Sequence, residues 1–132
     1  MPTIKPVNTM NVETIRRYCL SFPRTQEKLQ WGETLCFKVE GKIFTLVSLD
    51  AVPPSLCLKA APDKFAELLE IEGITPAPYV GRYKWVLLER LDLLPPTELQ
   101  ELIAQSYEMV TAKLSKSSKR KKTRARQRKP AR

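Results

Sequence analysis

Apolar and polar residues alternate most regularly along Leu35–Leu49. Phe37 and Val39 alternate with a lysine and a glutamate, and a second apolar run begins at Ile43. Gly41 lies between the two runs and can supply the positive φ that a tight turn needs. The β-branched and aromatic content favours strands over a helix of the same length. The pattern predicts a β-hairpin whose second strand, apolar on both faces, is central in a sheet covered on one side by helices.

Three stretches have the three-to-four spacing of apolar residues that is typical of amphipathic helices. The first covers about 12–21, with Asn11 as its N-cap. The second begins at Pro62 and ends near Glu70. The third covers about 97–114, and its apolar stripe ends there. The stripe consists of Leu99, Leu102, Ile103, Ser106, Tyr107, Met109, Val110, Lys113 and Leu114.

Shorter apolar runs predict the remaining strands. Lys28–Trp31 fits a short edge strand, Leu56–Ala60 a further strand, and Lys84–Leu88 the last one. Residues 74–83 contain two prolines and a glycine, and we expect a loop there. This order of elements predicts an α+β two-layer sandwich, in which helices pack on one face of an antiparallel β-sheet and the other face is partly open to water.

The length of 132 residues fits one domain that can bury a core without metals or disulfides. We expect an irregular arm at 1–10, the α+β domain at 11–114 and a tail at 115–132. The tail has no apolar residue larger than alanine, so we expect it to be disordered in isolation. No apolar run is long enough for a membrane span, and the first ten residues lack the apolar core of a signal peptide. The expected location is the cytoplasm, without membrane association.

The formal net charge of +9 is distributed very unevenly. Residues 1–112 hold 12 basic and 14 acidic side chains, whereas residues 113–132 hold 11 basic side chains and no acidic one. The globular part is therefore nearly neutral, and the basic character belongs to the tail. This division predicts that nucleic-acid affinity resides mainly in the tail.

Few residues of this sequence suggest catalysis or metal binding. Histidine, the commonest general base and metal ligand, is absent. The three cysteines lie in apolar patterns without a CxxC pair, which favours buried thiols over a metal site or a disulfide. The acidic group Glu67, Glu70 and Glu72 fits a solvated helix face. We expect no catalytic residues, no metal, no cofactor and no enzymatic activity.

Five fragments, in this order, resemble the MmcQ/YjbR family of small bacterial proteins. They are Ser21-Phe22-Pro23, Phe37-Lys38-Val39-x-Gly41-Lys42-Ile43-Phe44, Leu58-Lys59-x-x-Pro62, Pro78-Tyr79-x-x-Arg82-Tyr83-Lys84-Trp85-Val86 and Leu102-Ile103-x-x-Ser106-Tyr107-x-x-Val110-x-x-Lys113-Leu114. The resemblance covers about residues 11–114 and implies a CyaY-like (frataxin-like) α+β fold. It also implies DNA binding, a label given to the family because its sheet resembles a double-wing domain. Many relatives carry a histidine where this chain has Lys84, and the basic tail lies outside the family pattern.

The resulting hypothesis is a non-enzymatic, nucleic-acid-associated protein, with DNA favoured over RNA, little sequence preference and a monomeric state by default. The alternative is a protein-interaction or small-ligand-binding module that uses the open sheet face and the 79–85 loop. Trp85 and Tyr107 are interpreted as core residues between a strand and the last helix.

The candidate nucleic-acid-binding residues of the tail are Lys116, Lys119, Arg120, Lys121, Lys122, Arg124, Arg126, Arg128, Lys129 and Arg132. Weaker candidates in the domain are Lys38, Lys42, Lys59, Arg82 and Lys84.

Overall fold

Six antiparallel strands form one open sheet in the computed structural model, which describes residues 11–78 and 80–128, with Arg82 and residues 115–128 described by their backbone alone. The strands are β1 Thr25–Gln30, β2 Thr34–Val39, β3 Lys42–Ser48, β4 Ser55–Lys59, β5 Ile74–Pro76 and β6 Trp85–Leu88. Their spatial order is β1-β2-β3-β4-β6-β5. The helices are α1 Val12–Leu20, α2 Pro62–Leu68 and α3 Pro96–Arg128. The predicted α+β sandwich is confirmed.

The predicted hairpin is β2–β3, and its turn has two residues. Val39 pairs with Lys42, so Glu40 and Gly41 form the loop. Their φ angles are +50° and +85°, the combination that a type I′ turn requires. As expected, β3 is a central strand between β2 and β4.

A β-bulge interrupts the alternation that the sequence pattern predicts for β3. Phe37 pairs with Thr45, but the next residue of β2, Lys38, pairs with Ile43, which leaves Phe44 as the extra residue. Phe44 and Thr45 are both fully buried. The bulge therefore lets two consecutive residues face the helices, which strict alternation would forbid.

An aromatic cluster joins the helices to the sheet. Tyr107 of α3 stacks on Phe22 with a centroid distance of 4.6 Å, and it meets Phe44 edge-on at 5.3 Å. The Tyr107 hydroxyl donates a hydrogen bond of 2.8 Å to the carbonyl of Pro23. Tyr107 is 92% buried, in agreement with its expected place in the core.

Two elements differ from the sequence-based expectations. The stretch 74–83 is not entirely a loop, since Ile74–Pro76 forms the edge strand β5 against β6. A strand of three residues that ends in proline has too little pattern to be recognised, and proline is tolerated at a sheet edge. The edge strand β1 is also longer than predicted and begins at Thr25.

Helix α3 continues to Arg128, beyond the predicted end near Leu114 and into the segment predicted to be disordered. Between residues 97 and 129 the sequence contains no proline and no glycine, while lysine, arginine, glutamine and alanine are good helix formers. Our expectation relied on the absence of apolar residues after Ser115. Apolar residues determine whether a helix can pack on a core, but helix propensity alone can extend one that is already nucleated.

Candidate functional site

A cavity of about 310 Å³ lies between α3 and one end of the sheet. Its walls come from four elements: the start of β3, the end of β4, the start of β6 and residues 109–114 of α3. Three lysines and five apolar or aromatic residues line it, namely Lys42, Lys59, Lys113, Ile43, Trp85, Met109, Val110 and Leu114. No acidic residue is among them.

Local structure explains why the three lysines meet. Lys42 directly follows the type I′ turn, and Lys59 is the last residue of β4. Lys113 lies four residues after Met109 on α3, so these two side chains share a helix face. Three distant parts of the chain thus place an ammonium group at one cavity.

Ser106 fixes the backbone beside this cavity. Its hydroxyl accepts a hydrogen bond of 3.1 Å from the Lys59 amide and donates one of 2.6 Å to the Phe44 carbonyl. Because Ser106 is fully buried, no water competes for these bonds. Ser106 of α3 therefore bonds to both β3 and β4 and fixes the position of the Lys59 backbone relative to α3.

The charges of Lys59 and Lys113 repel each other. Lys59 is half-buried, and this burial lowers its pKa, as does the nearby charge of Lys113. Among the residues with described side chains, no carboxylate forms an ion pair with Lys42, Lys59 or Lys113. The cavity is thus a place of concentrated positive charge without an internal counterion.

Trp85 differs from its expected role as a core residue. It is half-buried and lies in the cavity wall, whereas its neighbour Val86 is fully buried in the core. Trp85 is the first residue of β6 and pairs with Lys59, the last residue of β4, so it lies at the end of the sheet beside α3. Trp85 therefore contributes to the cavity wall and not to the buried core.

Two of the five candidate lysines and arginines of the domain, Lys42 and Lys59, come together in the cavity. Lys38 does not line it, although it pairs with the lining residue Ile43. Lys84 has its ammonium 5.2 Å from the centre of the Phe65 ring of α2, a cation–π contact. The backbone of Arg82 lies in a short 3₁₀ turn, and its side chain is outside the described part of the chain, as is Tyr79 of the 79–85 loop.

Most of the tail candidates lie on the extension of α3. The backbone of 116–128 is helical, and its side chains are not described. Lys129 and Arg132 fall outside the described residues. The basic segment therefore leaves the domain directly from the cavity wall that Lys113 and Leu114 form.

Sequence reasoning placed Lys113 in the apolar stripe of α3 and missed it as a site residue. Its position was nevertheless a signal, because a lysine in the apolar stripe of a helix can lay its stem on apolar surface while its ammonium stays in water or meets an anion. The sequence could not show that two more lysines, from β3 and β4, would lie opposite it. That convergence depends on the bulge and on the order of the strands.

The opposite face of the sheet has a row of apolar residues across its middle strands. The pairing register aligns Cys36, Leu46, Cys57 and Leu87 across four neighbouring strands. All but Cys36 are half-buried. The open face thus presents an apolar row that continues to Lys28 of β1, which pairs with Cys36.

The cysteines have the properties of structural thiols. Burial raises the pKa of Cys19 to about 12 and that of Cys57 to about 11, and it also raises the pKa of Cys36. Such thiols remain protonated at neutral pH and are weak nucleophiles. In the described part of the chain, no three His, Cys, Asp or Glu side chains gather as a set of metal ligands. No helix there has both the length and the apolar character needed to cross a membrane.

Comparisons with known proteins identify the family. The fold is similar to the crystal structure of the Deinococcus radiodurans protein DR2400, which has a domain named DUF419, with a TM-score of 0.71, 29% identity and 81% of each chain covered. A Pseudomonas syringae protein is similar in fold alone, with a TM-score of 0.60, 19% identity and coverage of 76% of this chain and 98% of the other. No curated protein matches the sequence. The sequence model named YjbR matches residues 20–109, more than half of the chain. This protein therefore belongs to the YjbR family.

Proposed function

We propose that this protein is a non-enzymatic, cytoplasmic, monomeric protein that associates with nucleic acid through its basic C-terminal segment. The segment 113–132 carries 11 basic side chains and no acidic one. Lysine and arginine bind phosphates and release condensed counterions, a contribution that depends little on base sequence. The resemblance of the sequence to proteins labelled DNA-binding favours DNA over RNA.

One observation carries this proposal. A single helix, α3, packs on the sheet through its first half and leads directly into the basic segment. Lys42, Lys59 and Lys113 lie at the point where the helix leaves the core. The positive charge of the domain is therefore contiguous with that of the segment, and a phosphate backbone could contact both. The domain would orient the segment, and the segment would supply most of the affinity.

The proposal predicts a strong dependence of binding on salt. If about five to seven of the basic side chains meet phosphates, the log–log slope of affinity against salt on duplex DNA is about −4 to −6. Between about 50 and 200 mM salt, the affinity then falls by about two to four decades. Duplexes of equal length and scrambled sequence bind within a few-fold of one another, because the main contacts are with phosphates.

A pair of charge-matched variants tests where the affinity resides. Lys121→Gln combined with Lys122→Gln flattens the slope by up to about 2 units, since each lost phosphate contact contributes about 0.9. The control, Lys28→Gln combined with Lys64→Gln, removes the same charge from β1 and α2, at residues outside the candidate set, and leaves the slope within about 0.5 unit. Equal effects of the two variants would show that net charge matters and the segment does not.

A further inference from the structure

We propose that the cavity beneath α3 is a binding site for a small organic anion that combines a carboxylate or phosphate group with an apolar, ring-sized body. This inference is independent of nucleic-acid association, since it concerns a different ligand class and different atoms. It is carried by the three lysines and the five apolar and aromatic residues that line one partly open cavity.

The positive charge of the cavity favours an anionic ligand. Lys42, Lys59 and Lys113 come from three separate elements, and none of them has a carboxylate partner among the described side chains. Holding cations together without a counterion is unfavourable, and the cost grows when one of them is half-buried, as Lys59 is. A bound anion would offset this repulsion, and the energy released would contribute to the affinity of the cavity for the anion.

The apolar and aromatic lining residues favour a ligand that also has an apolar part. Ile43, Val110 and Leu114 provide aliphatic surface, and Met109 can adapt its flexible side chain to the shape of a ligand. The indole of Trp85 offers a flat surface for stacking. Inorganic phosphate would leave this surface wet, whereas a ligand with a ring would cover it.

The dimensions limit the ligand to a small molecule. The volume of about 310 Å³ lies at the lower end of the range for ligand pockets, about 300–1,000 Å³. The site is also partly preorganised, because Ser106 fixes the backbone of Lys59 by a hydrogen bond of 3.1 Å. Preorganisation reduces the entropic cost of binding.

Trp85 can report on binding directly. The chain has two tryptophans, and the other one, Trp31, is 68% exposed in the turn between β1 and β2. Trp31→Phe in the full chain leaves Trp85 as the sole indole fluorophore. Titration with phenyl phosphate and benzoate should change its emission saturably, with affinities at least about tenfold higher than for inorganic phosphate or benzyl alcohol. The tighter of the two anions identifies the headgroup class.

Variants in the same background assign the site. Lys59→Met keeps the aliphatic stem and removes the charge, and it weakens binding of the better anion at least about tenfold, as does Lys113→Gln. Lys28→Met on the exposed edge strand β1 is the matched control and changes the affinity less than about twofold. The variant with Lys121→Gln and Lys122→Gln keeps anion binding while its affinity for duplex DNA falls, so the two proposals fail separately.

Three results would overturn the inference. Benzyl alcohol that binds as tightly as benzoate would show an apolar groove in which the lysines play no part. Inorganic phosphate that matches phenyl phosphate would show unspecific ion binding. The absence of any saturable change in the Trp85 signal, together with unchanged amide chemical shifts at Lys42, Lys59 and Lys113, would show that the cavity does not take this class of ligand.

Discussion

Ser106 and Phe44 lie 62 positions apart in the sequence, yet the Ser106 hydroxyl donates a hydrogen bond of 2.6 Å to the Phe44 carbonyl. The same hydroxyl accepts the amide proton of Lys59, so one side chain of α3 satisfies two backbone groups of neighbouring strands. This arrangement links the packing of the last helix to the geometry of the cavity. It also explains why a polar residue occupies a fully buried position of the apolar stripe.

Replacement of Ser106 by alanine should therefore destabilise the fold. The change leaves the buried Phe44 carbonyl and the part-buried Lys59 amide without their partner, and an unsatisfied buried group costs about 1–3 kcal/mol. Urea unfolding measures the loss in free energy. Thr111→Ala is a suitable control, because the Thr111 hydroxyl bonds locally to the Glu108 carbonyl at an exposed site, and we expect a loss below about 0.5 kcal/mol. A similar loss in both variants would mean that the bridge by Ser106 is not important for stability.

Tyr107 should contribute to stability mainly through its ring. Tyr107→Phe removes the hydrogen bond of 2.8 Å to Pro23 but keeps the stacking on Phe22, and we expect it to cost about 0.5–1.5 kcal/mol. Tyr107→Leu also loses the stacked ring and should cost more than Tyr107→Phe. Thermal and urea unfolding of both variants separate the two contributions. Equal costs would assign the whole effect to the hydroxyl.

Trp85→Ala should be milder than an ordinary core truncation. Trp85 is half-buried in the cavity wall, so we expect a loss of about 1–3 kcal/mol in unfolding free energy. Phe44→Ala, at a fully buried position, should cost about 3–5 kcal/mol. Urea unfolding compares the two variants directly. If Trp85→Ala proved the more damaging, Trp85 would be a core residue, as the sequence suggested.

Anion binding in the cavity should depend on pH through Lys59. Burial and the charge of Lys113 lower the pKa of Lys59, and the other charged group lining the cavity is Lys42 of β3. As pH rises through this lowered pKa, Lys59 loses its charge and the affinity for benzoate falls. Isothermal titrations between about pH 7 and 10 measure this fall, and Lys59→Met should reduce it. An identical pH profile in this variant would exclude Lys59 as the titrating group.

The lowered pKa of Lys59 also affects folding: anion affinity falls as pH rises, whereas the stability of the fold increases. Between the lowered pKa in the folded state and the ordinary value of 10.5, the unfolded chain holds more protons than the folded one at Lys59. The free energy of unfolding contributed by Lys59 therefore rises with pH in that window. At pH 7 the charged form of Lys59 is disfavoured in the folded state, which lowers the free energy of unfolding. Lys59→Met removes this penalty, so the variant should be at least as stable as the wild type at pH 7.

Local patterns predicted the elements that have a clear period and a clear boundary. The β2–β3 hairpin followed from alternation and Gly41, and the N-cap of α1 followed from Asn11, whose side chain accepts the Thr14 amide at 2.8 Å. Strand β5 was missed because three residues ending in Pro76 carry no recognisable period. The bulge at Phe44 was missed because it breaks the very alternation on which the prediction relied.

The cavity could not be predicted from local patterns at all. Lys42 and Lys59 were singled out as candidate residues, but only the strand order and the path of α3 bring them to Lys113. The neutral character of the domain and the basic character of the tail were visible in the sequence, because charge needs no three-dimensional context. The continuation of α3 to Arg128 shows that helix propensity should be considered separately from the apolar stripe.

The most direct test of nucleic-acid association compares the full chain with a chain that ends after Ser115. The core stripe of α3 ends at Leu114, so the shortened chain should unfold within about 5 °C of the full chain, which corresponds to about 1 kcal/mol. Both chains are then titrated, at fixed low salt, with two duplexes of equal length and scrambled sequence. We predict that the full chain binds both duplexes within a few-fold and that the shortened chain loses at least about two decades of affinity for each. Tight binding by the shortened chain, with a strong preference for one duplex, would contradict this account and place recognition on the folded domain.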